Sequence, residues 1–568
     1  MISIHRSKAR GWLWAAASLL LLASCNLPAG STDLSSLQTT SPSTASLEEA
    51  EGLSASLDKD VPPEGELLSL WFSPELPPDF RQMLVQQEAV RPSANQRDAH
   101  ATVAVGEGAI VARWVYALVT PFPTLLDEVN LDLLQRVWAG HSLGPFDSSP
   151  ILMTPETLAV FEAWWGEAAN NRVELLDAED LLEAAWADQP SWAIIPFEAL
   201  EPRWKVLAVE GQSPLWKDFH PEEYALSVPI SLLSESTLPE LPTISNRDPN
   251  KLTTVITTGV TALVRATAWE MERKGITYPA EDIGELLREA DLTHVSNEVP
   301  FTEDCPPPNP AQRTLIFCSD ARYIELLEEI GTDIVELTGD HFNDWTEEAM
   351  LFTLDMYKER DWPYYGGGAN IEEAKESLLL EHNGNLIAFV GCNGKGGSYA
   401  SADVDYPGAV ECDYDFLTEE IARLTDDGYL VIATFQHNEV YTFRPQPGLI
   451  RDFGKVAEAG ASIVSGSQAH QAHGVEFKDD DTLIMYGLGN LFFDQIVISE
   501  ETTQALIARH VFYDGRYLST ELFTTYFVDY AKPRYMTEEE REAFLTNIFD
   551  ESIWPTTPEL EEGSEDGT

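Results

Sequence analysis

The chain has 568 residues, of which 95 are Asp or Glu and 35 are Lys or Arg, for a formal net charge of −60. Binding to a phosphate backbone is driven by clustered Lys and Arg that release counterions, so this balance excludes nucleic acid as a partner and leaves a bound metal as the route to a polyanionic substrate. With 44% apolar and 10% aromatic residues the chain can bury real cores, and its length suits roughly two to four domains.

Arg6, Lys8 and Arg10 form a basic start, and residues 11–22 are an apolar run too short to span a bilayer with these flanks, so residues 1–24 read as a secretory signal. The run ends in Leu22-Ala23-Ser24-Cys25, which resembles the bacterial lipobox, where cleavage before the Cys leaves that Cys to carry the lipid. Cys25 is thus the expected lipidation site. Residues 25–60, rich in Ser and Thr, are a flexible tether. The expected location is the bacterial cell membrane, lipid-anchored on its extracytoplasmic side.

Four cysteines remain: Cys305, Cys318, Cys392 and Cys412. An even number in an exported chain favours disulfides, and of three connectivities the most economical joins 305 to 318 and 392 to 412. A metal site is the rival reading, though no CxxC spacing is present.

In chain order, strand signals at 67–72, 114–119 and 191–197 alternate with a helical period over 131–138 that ends before Gly140, which is an α/β pattern. A strand, a helix ending Trp-Ala-Gly, then AIIPFEALEPRWKVLAVEG and a Tyr-x-Leu-x-x-Pro segment resemble part of a type 2 periplasmic solute-binding domain over 61–235. The Ser-Gly-Thr type anion loop of its phosphate-binding members is missing, so no ligand residues carry over. Residues 236–252, with Pro residues and an NRDPN turn, read as a linker.

From 253 to 550 a second α/β unit is expected. It has a strand at 253–257, helices at 260–274, 283–290 and 371–378, and strands near 314–317, 334–337, 386–390, 430–433, 461–464 and 483–486. Polar residues follow several of these strands, where the loops of α/β sheets build sites. The ordered blocks ELTGDHFNDW, YYGGGANIEEA, LIAFVGCN, FQHNEVY, IVSGSQAH and YGLGNLFFDQ resemble the CapA-like family, named for poly-gamma-glutamate capsule biosynthesis. That resemblance implies a calcineurin-like metallophosphatase fold, a four-layer α/β sandwich, behind the smaller solute-binding-like α/β domain.

The resemblance also implies a site in which carboxylate, amide and imidazole groups hold one or two cations and a His protonates the leaving group. The family's Gly-Asp-Val lies opposite Thr258-Gly259-Val260, so its first carboxylate is missing. Glu298, Asp340, His437 and His470 match metal positions, and His341 matches the general acid. These are enough for one divalent metal ion and too few for a two-metal clamp. Lys395 and Arg444 are scarce cations near the same loops, suited to an anionic polymer, and His473 reads as a solvent-facing loop residue. Thr537 with Glu540 reads as a capping box, and 551–568 as an acidic disordered tail.

The leading expectation is a lipid-anchored protein of capsule or exopolymer assembly, meeting an anionic polymer or its synthase through an eroded metal site. The alternatives are a one-metal phosphoesterase-like hydrolase and a solute-binding receptor.

Overall fold

The computed structural model describes residues 67–555 apart from 143, 145–148, 240, 398 and 480. The signal segment, Cys25, the tether and the tail beyond 555 lie outside the described residues. Among the described residues no helix is long and apolar enough to cross a membrane.

The N-terminal unit is organised by one long strand, Ala109–Pro121, buried from Trp114 onward. Its first half pairs antiparallel with Ser227–Leu233, beyond which lie Ala101–Val105, Leu68–Phe72 and Val90–Pro92. Its second half pairs with Trp192–Pro196 and Trp204–Val209, and the parallel strands Ile151–Met153 and Val173–Leu175 follow. Two small sheets therefore share one strand. The helix Leu131–Trp138 starts where Asn130 Oδ1 accepts from the Leu133 N–H and stops before Gly140, which adopts positive φ. Residues of the expected linker pack onto this unit: the Ile244 N–H donates to Val111 O, and Asn246 bonds both backbone groups of Val115.

The C-terminal unit has two large sheets. One runs Tyr364–Tyr365, Ile334–Glu336, Leu292–Asn297, Leu252–Thr257, Gln504–Tyr513, Arg516–Val528, Lys532–Tyr535. The other runs Leu378–His382, Asn385–Asn393, Leu430–Gln436, Ile463–Ser465, Thr482–Met485, Val475–Lys478. Successive side chains of a strand point to opposite faces, and the cores sort by that parity. Val255, Ile334, Ile387, Phe389, Ile432, Ile463 and Met485 meet in the core between the sheets. Their neighbours Ile256 and Val335 turn outward to the helices Arg265–Lys274, Ile324–Glu329 and Glu347–Lys358. On the other side Ala388, Val431, Val464 and Ile484 turn to Tyr414–Asp426 and Pro447–Glu458. Helix, sheet, sheet, helix is the expected four-layer sandwich.

Both expected disulfides are present, Cys305–Cys318 and Cys392–Cys412. Three local expectations need correction. Residues 260–274 are not one helix: Val260–Thr261 is a strand, and the helix begins at Arg265. The apolar run 314–317 is not a strand but part of the disulfide-closed loop, with Leu315 67% and Ile316 55% exposed and Gln312 Nε2 donating to Thr314 O and Ile316 O. The helix expected over 371–378 spans only Ile371–Ala374, because Leu378 opens a strand.

The two units meet on an aromatic seam. Phe122 packs edge-on against Phe477 at 5.1 Å, and Trp186 lies 5.6 Å from Trp554. The last helix, Glu538–Asp550, begins with the expected Thr537/Glu540 capping box and clamps the seam through Arg541, which donates to Leu125 O and pairs with Asp127. Packing continues past Asp550, where the Ile553 N–H donates to Val475 O. A cavity of about 300 Å³ along the seam is lined by Lys205, Trp216, Arg509, Glu521 and Arg541. Its cations are already paired, Lys205 and Arg541 with Asp127 and Arg509 with Glu521. It lies away from the acid and imidazole cluster described next.

Candidate functional site

The carboxyl ends of parallel strands from both sheets converge. Glu298 directly follows Leu292–Asn297, and Asp340 and His341 lie just beyond Ile334–Glu336. Glu439 follows Leu430–Gln436, and His470 follows Ile463–Ser465. The chain needs glycine to bring these loops together: a Cβ on Gly339 would sit 3.0 Å from Glu298 Cα.

One ligand atom each from Glu298, Asp340 and His341 can lie within 4.8 Å of one another. His470 Nε2 is 3.9 Å from Glu298 Oε1 and 3.8 Å from Glu439 Oε1. These separations are too long for hydrogen bonds and suit an ion held between the groups. His470 Nδ1 lies 2.9 Å from Asn490 Oδ1, which accepts from it, so Nε2 is the ring atom turned toward the carboxylates. Asn490 is itself fixed by donating to His470 O and Thr502 O.

The carboxylates are not alike. Glu298 is 1% exposed, and neither of its oxygens has a hydrogen-bond partner. Burial pushes its carboxyl above the usual range, against the opposing pull of His470 and His341. Asp340 is saturated instead: Gln436 Nε2 donates to Oδ1 at 2.6 Å, and Lys395 Nζ lies 2.8 Å from Oδ2. Burial would raise Asp340, but the charges of His341 and Lys395 outweigh it and hold the group low. Lys395 also pairs with Glu439, whose other oxygen accepts from Tyr441.

His341 Nδ1 is 2.6 Å from Asp344 Oδ2, an oxygen that also accepts from the Phe317 N–H. Burial opposes the protonated ring, yet the Asp344 bond and the charges of Glu298 and Asp340 raise it to about 9, so His341 carries a proton at neutral pH. Phe317 and Phe493 shield the centre, the first 5.0 Å from the His341 ring and the second 5.1 Å from the His470 ring.

Of the residues singled out in the sequence, Glu298, Asp340, His341 and His470 come together. His437 does not join their contacts: its Nε2 lies 3.2 Å from Asp452 Oδ2 on the helix Pro447–Glu458, and its buried Nδ1 has no hydrogen-bond partner. Arg444 is exposed and pairs with Glu551. His473 is 1% exposed, not solvent-facing, and its Nδ1 donates to Thr442 O. Glu439, Asp344, Gln436 and Asn490 escaped sequence reasoning. Glu439 had a signal, since it stands two residues after His437 in FQHNEVY.

The orphaned Glu298 oxygens facing an oriented His470 Nε2 fit one divalent ion. A second is less easily placed, and the missing first carboxylate cannot simply be restored. A Cβ on Gly259 would lie 1.9 Å from Gly489 O, the carbonyl to which the Val260 N–H donates.

Residues 254–495 match the family described as Bacterial capsule synthesis protein PGA_cap. Over 257 residues the chain is 24% identical to Capsule biosynthesis protein CapA of Bacillus anthracis, a match spanning 44% of this chain and 62% of that protein. Among solved structures the chain is similar to a 5'-nucleotidase precursor from Thermus thermophilus (11% identity, 52% of this chain and 58% of that one, TM-score 0.31). It is also similar to the NAD nucleotidase NadN of Haemophilus influenzae (9% identity, 53% and 57%, TM-score 0.29). An ABC-type phosphate transport receptor from Vibrio cholerae matches at 11% identity over 30% of this chain and 87% of that one, TM-score 0.24. At these scores the overlaps are likeness only; the fold assignment comes from strand order and layer composition.

Proposed function

We propose, on the match of residues 254–495 to the bacterial capsule synthesis family and to CapA, that this chain is a lipid-anchored, extracytoplasmic protein of capsule or exopolymer biosynthesis. In this reading one divalent ion sits beside Glu298 and His470, and the centre meets an anionic polymer of poly-gamma-glutamate type or the synthase that makes it. The observation that carries the reading is Glu298: a buried carboxyl without a partner on either oxygen stays ionised only at a cost of several kcal/mol, which a bound cation would offset. The net charge of −60 supports the same view, since an anionic polymer approaching this surface needs local positive charge.

The test is metal content of the purified ectodomain. About one Mn²⁺ per chain is expected at saturation, with Glu298→Gln abolishing uptake and also removing the rise in Tm that Mn²⁺ gives the wild type. A wild type that takes up no metal overturns the reading.

The His341–Asp344 pair favours a second reading, a one-metal phosphoesterase-like hydrolase. A bound divalent ion would polarise a phosphoryl oxygen. Protonated His341, steered by Asp344, would deliver its proton to the leaving oxygen. His341→Ala should then keep Mn²⁺ bound but lower hydrolysis of a test phosphodiester by about a hundredfold. Absence of turnover in the metal-loaded wild type would leave the first reading alone.

A further inference from the structure

Two carboxylates in one pocket are treated in opposite ways, and that contrast has a chemical meaning. Glu298 is left without donors, as a ligand awaiting a cation would be. Asp340, 2% exposed by its side chain, already has its charge answered: Lys395 Nζ lies 2.8 Å from Oδ2, Gln436 holds Oδ1, and Tyr399 reaches Oδ2 at 3.5 Å. The same ammonium bridges to Glu439, whose Oε1 is the atom that faces His470.

Two-metal centres place their ions about 3.5–4 Å apart and use carboxylates to hold both. Here one such pair of carboxylates is bridged by a covalently attached cation. We propose that the Lys395 ammonium is the site's second cation, filling the position between Asp340 and Glu439 and limiting the centre to one divalent ion beside Glu298 and His470. A divalent ion could enter that position only by displacing Nζ, and the displaced ammonium would remain tethered in the field of the ion that replaced it. An ammonium also cannot ionise a bound water as a metal does, so the arrangement retains attraction for anions while giving up one source of hydroxide.

The inference rests on the one-ion reading above, and the experiment separates the two. Full-length mature chain in detergent is titrated with Mn²⁺ alone, and the bound ions are counted by calorimetry and by electron paramagnetic resonance of free Mn²⁺. Wild type should take one ion and Lys395→Met two. A variant count no greater than the wild-type count overturns the proposal, and so does a wild type that already takes two. If wild type takes none and the variant takes one, the Lys395 assignment stands while the Glu298–His470 reading falls. If neither takes any, both fall. Circular dichroism checks folding, and Lys395→Gln is read by the same rules should the methionine variant not fold.

Discussion

His473 stands three residues after His470 yet belongs to different chemistry. It is buried, its Nδ1–H is used by Thr442 O, and burial holds its pKa down at about 4. The ring therefore stays neutral in the folded chain while the unfolded chain takes up a proton near pH 6.5. A depressed folded pKa gives stability that is complete above 6.5 and drains away as pH falls toward 4, by about 3 kcal/mol from this residue alone. His510, depressed to about 3 by burial and by His294, acts in the same direction. Thermal melts should show wild type losing more Tm between pH 7 and pH 4.5 than His473→Gln does. Parallel losses in the two proteins would dismiss the assignment. The same residue marks the limit of reading a site from sequence. His341, His470 and His473 look alike in the loops, and only their partners, Asp344 three residues on for the first and the more distant Asn490 and Thr442 for the others, give each ring its role. Lys395 could be seen as a scarce positive charge, but nothing in the sequence pairs it with Asp340, 55 residues earlier, across the loops of two sheets.

At the level of elements, the missing first carboxylate is a backbone event as much as a substitution. Gly259 sits where the Val260–Thr261 strand runs beside Asn490–Phe492, and the carbonyl of Gly489 occupies the space a side chain would need. Gly259→Asp should therefore fail to add a metal ligand. It should lower stability by about 1–3 kcal/mol or more, as overpacking does, visible as a drop in the urea midpoint with Mn²⁺ uptake no higher than wild type. A variant that is as stable as wild type and binds more metal would show that the strand can open. Strands whose two faces both meet apolar layers were legible, because their length and β-branched content mark them: Leu430–Gln436 and Asn385–Asn393 lie where expected, each extending toward the site. Composition misled where a covalent or tertiary tie overrode it. Leu315 and Ile316 look like strand residues but are held out in the Cys305–Cys318 loop. The helical run from 260 onward loses its first turn to pairing with Asn490–Phe492, a partner that local sequence does not reveal.

On the scale of the whole molecule, the folded part begins by residue 67 and its N-terminal unit is tied to the far end of the chain. Anchoring through Cys25 would place every described residue beyond a tether, so Cys25→Ser should move the protein from the membrane fraction to the soluble exported fraction with an unchanged melting curve. Continued membrane retention would refute the anchor. The seam has a further consequence that concerns time. Thr257 in the strand Leu252–Thr257 bonds His510 at a sequence separation of 253, and Phe122 and Trp186 wait for Phe477 and Trp554 to cover them. Synthesis at about 5–20 residues per second puts those partners tens of seconds apart on the ribosome. Contact order this high makes folding slow, and an early-formed N-terminal half would offer a bare aromatic face and an unpaired strand edge to its neighbours. Such a topology gains nothing from folding as it emerges, and it suits a chain kept extended by chaperones until its last helix is available.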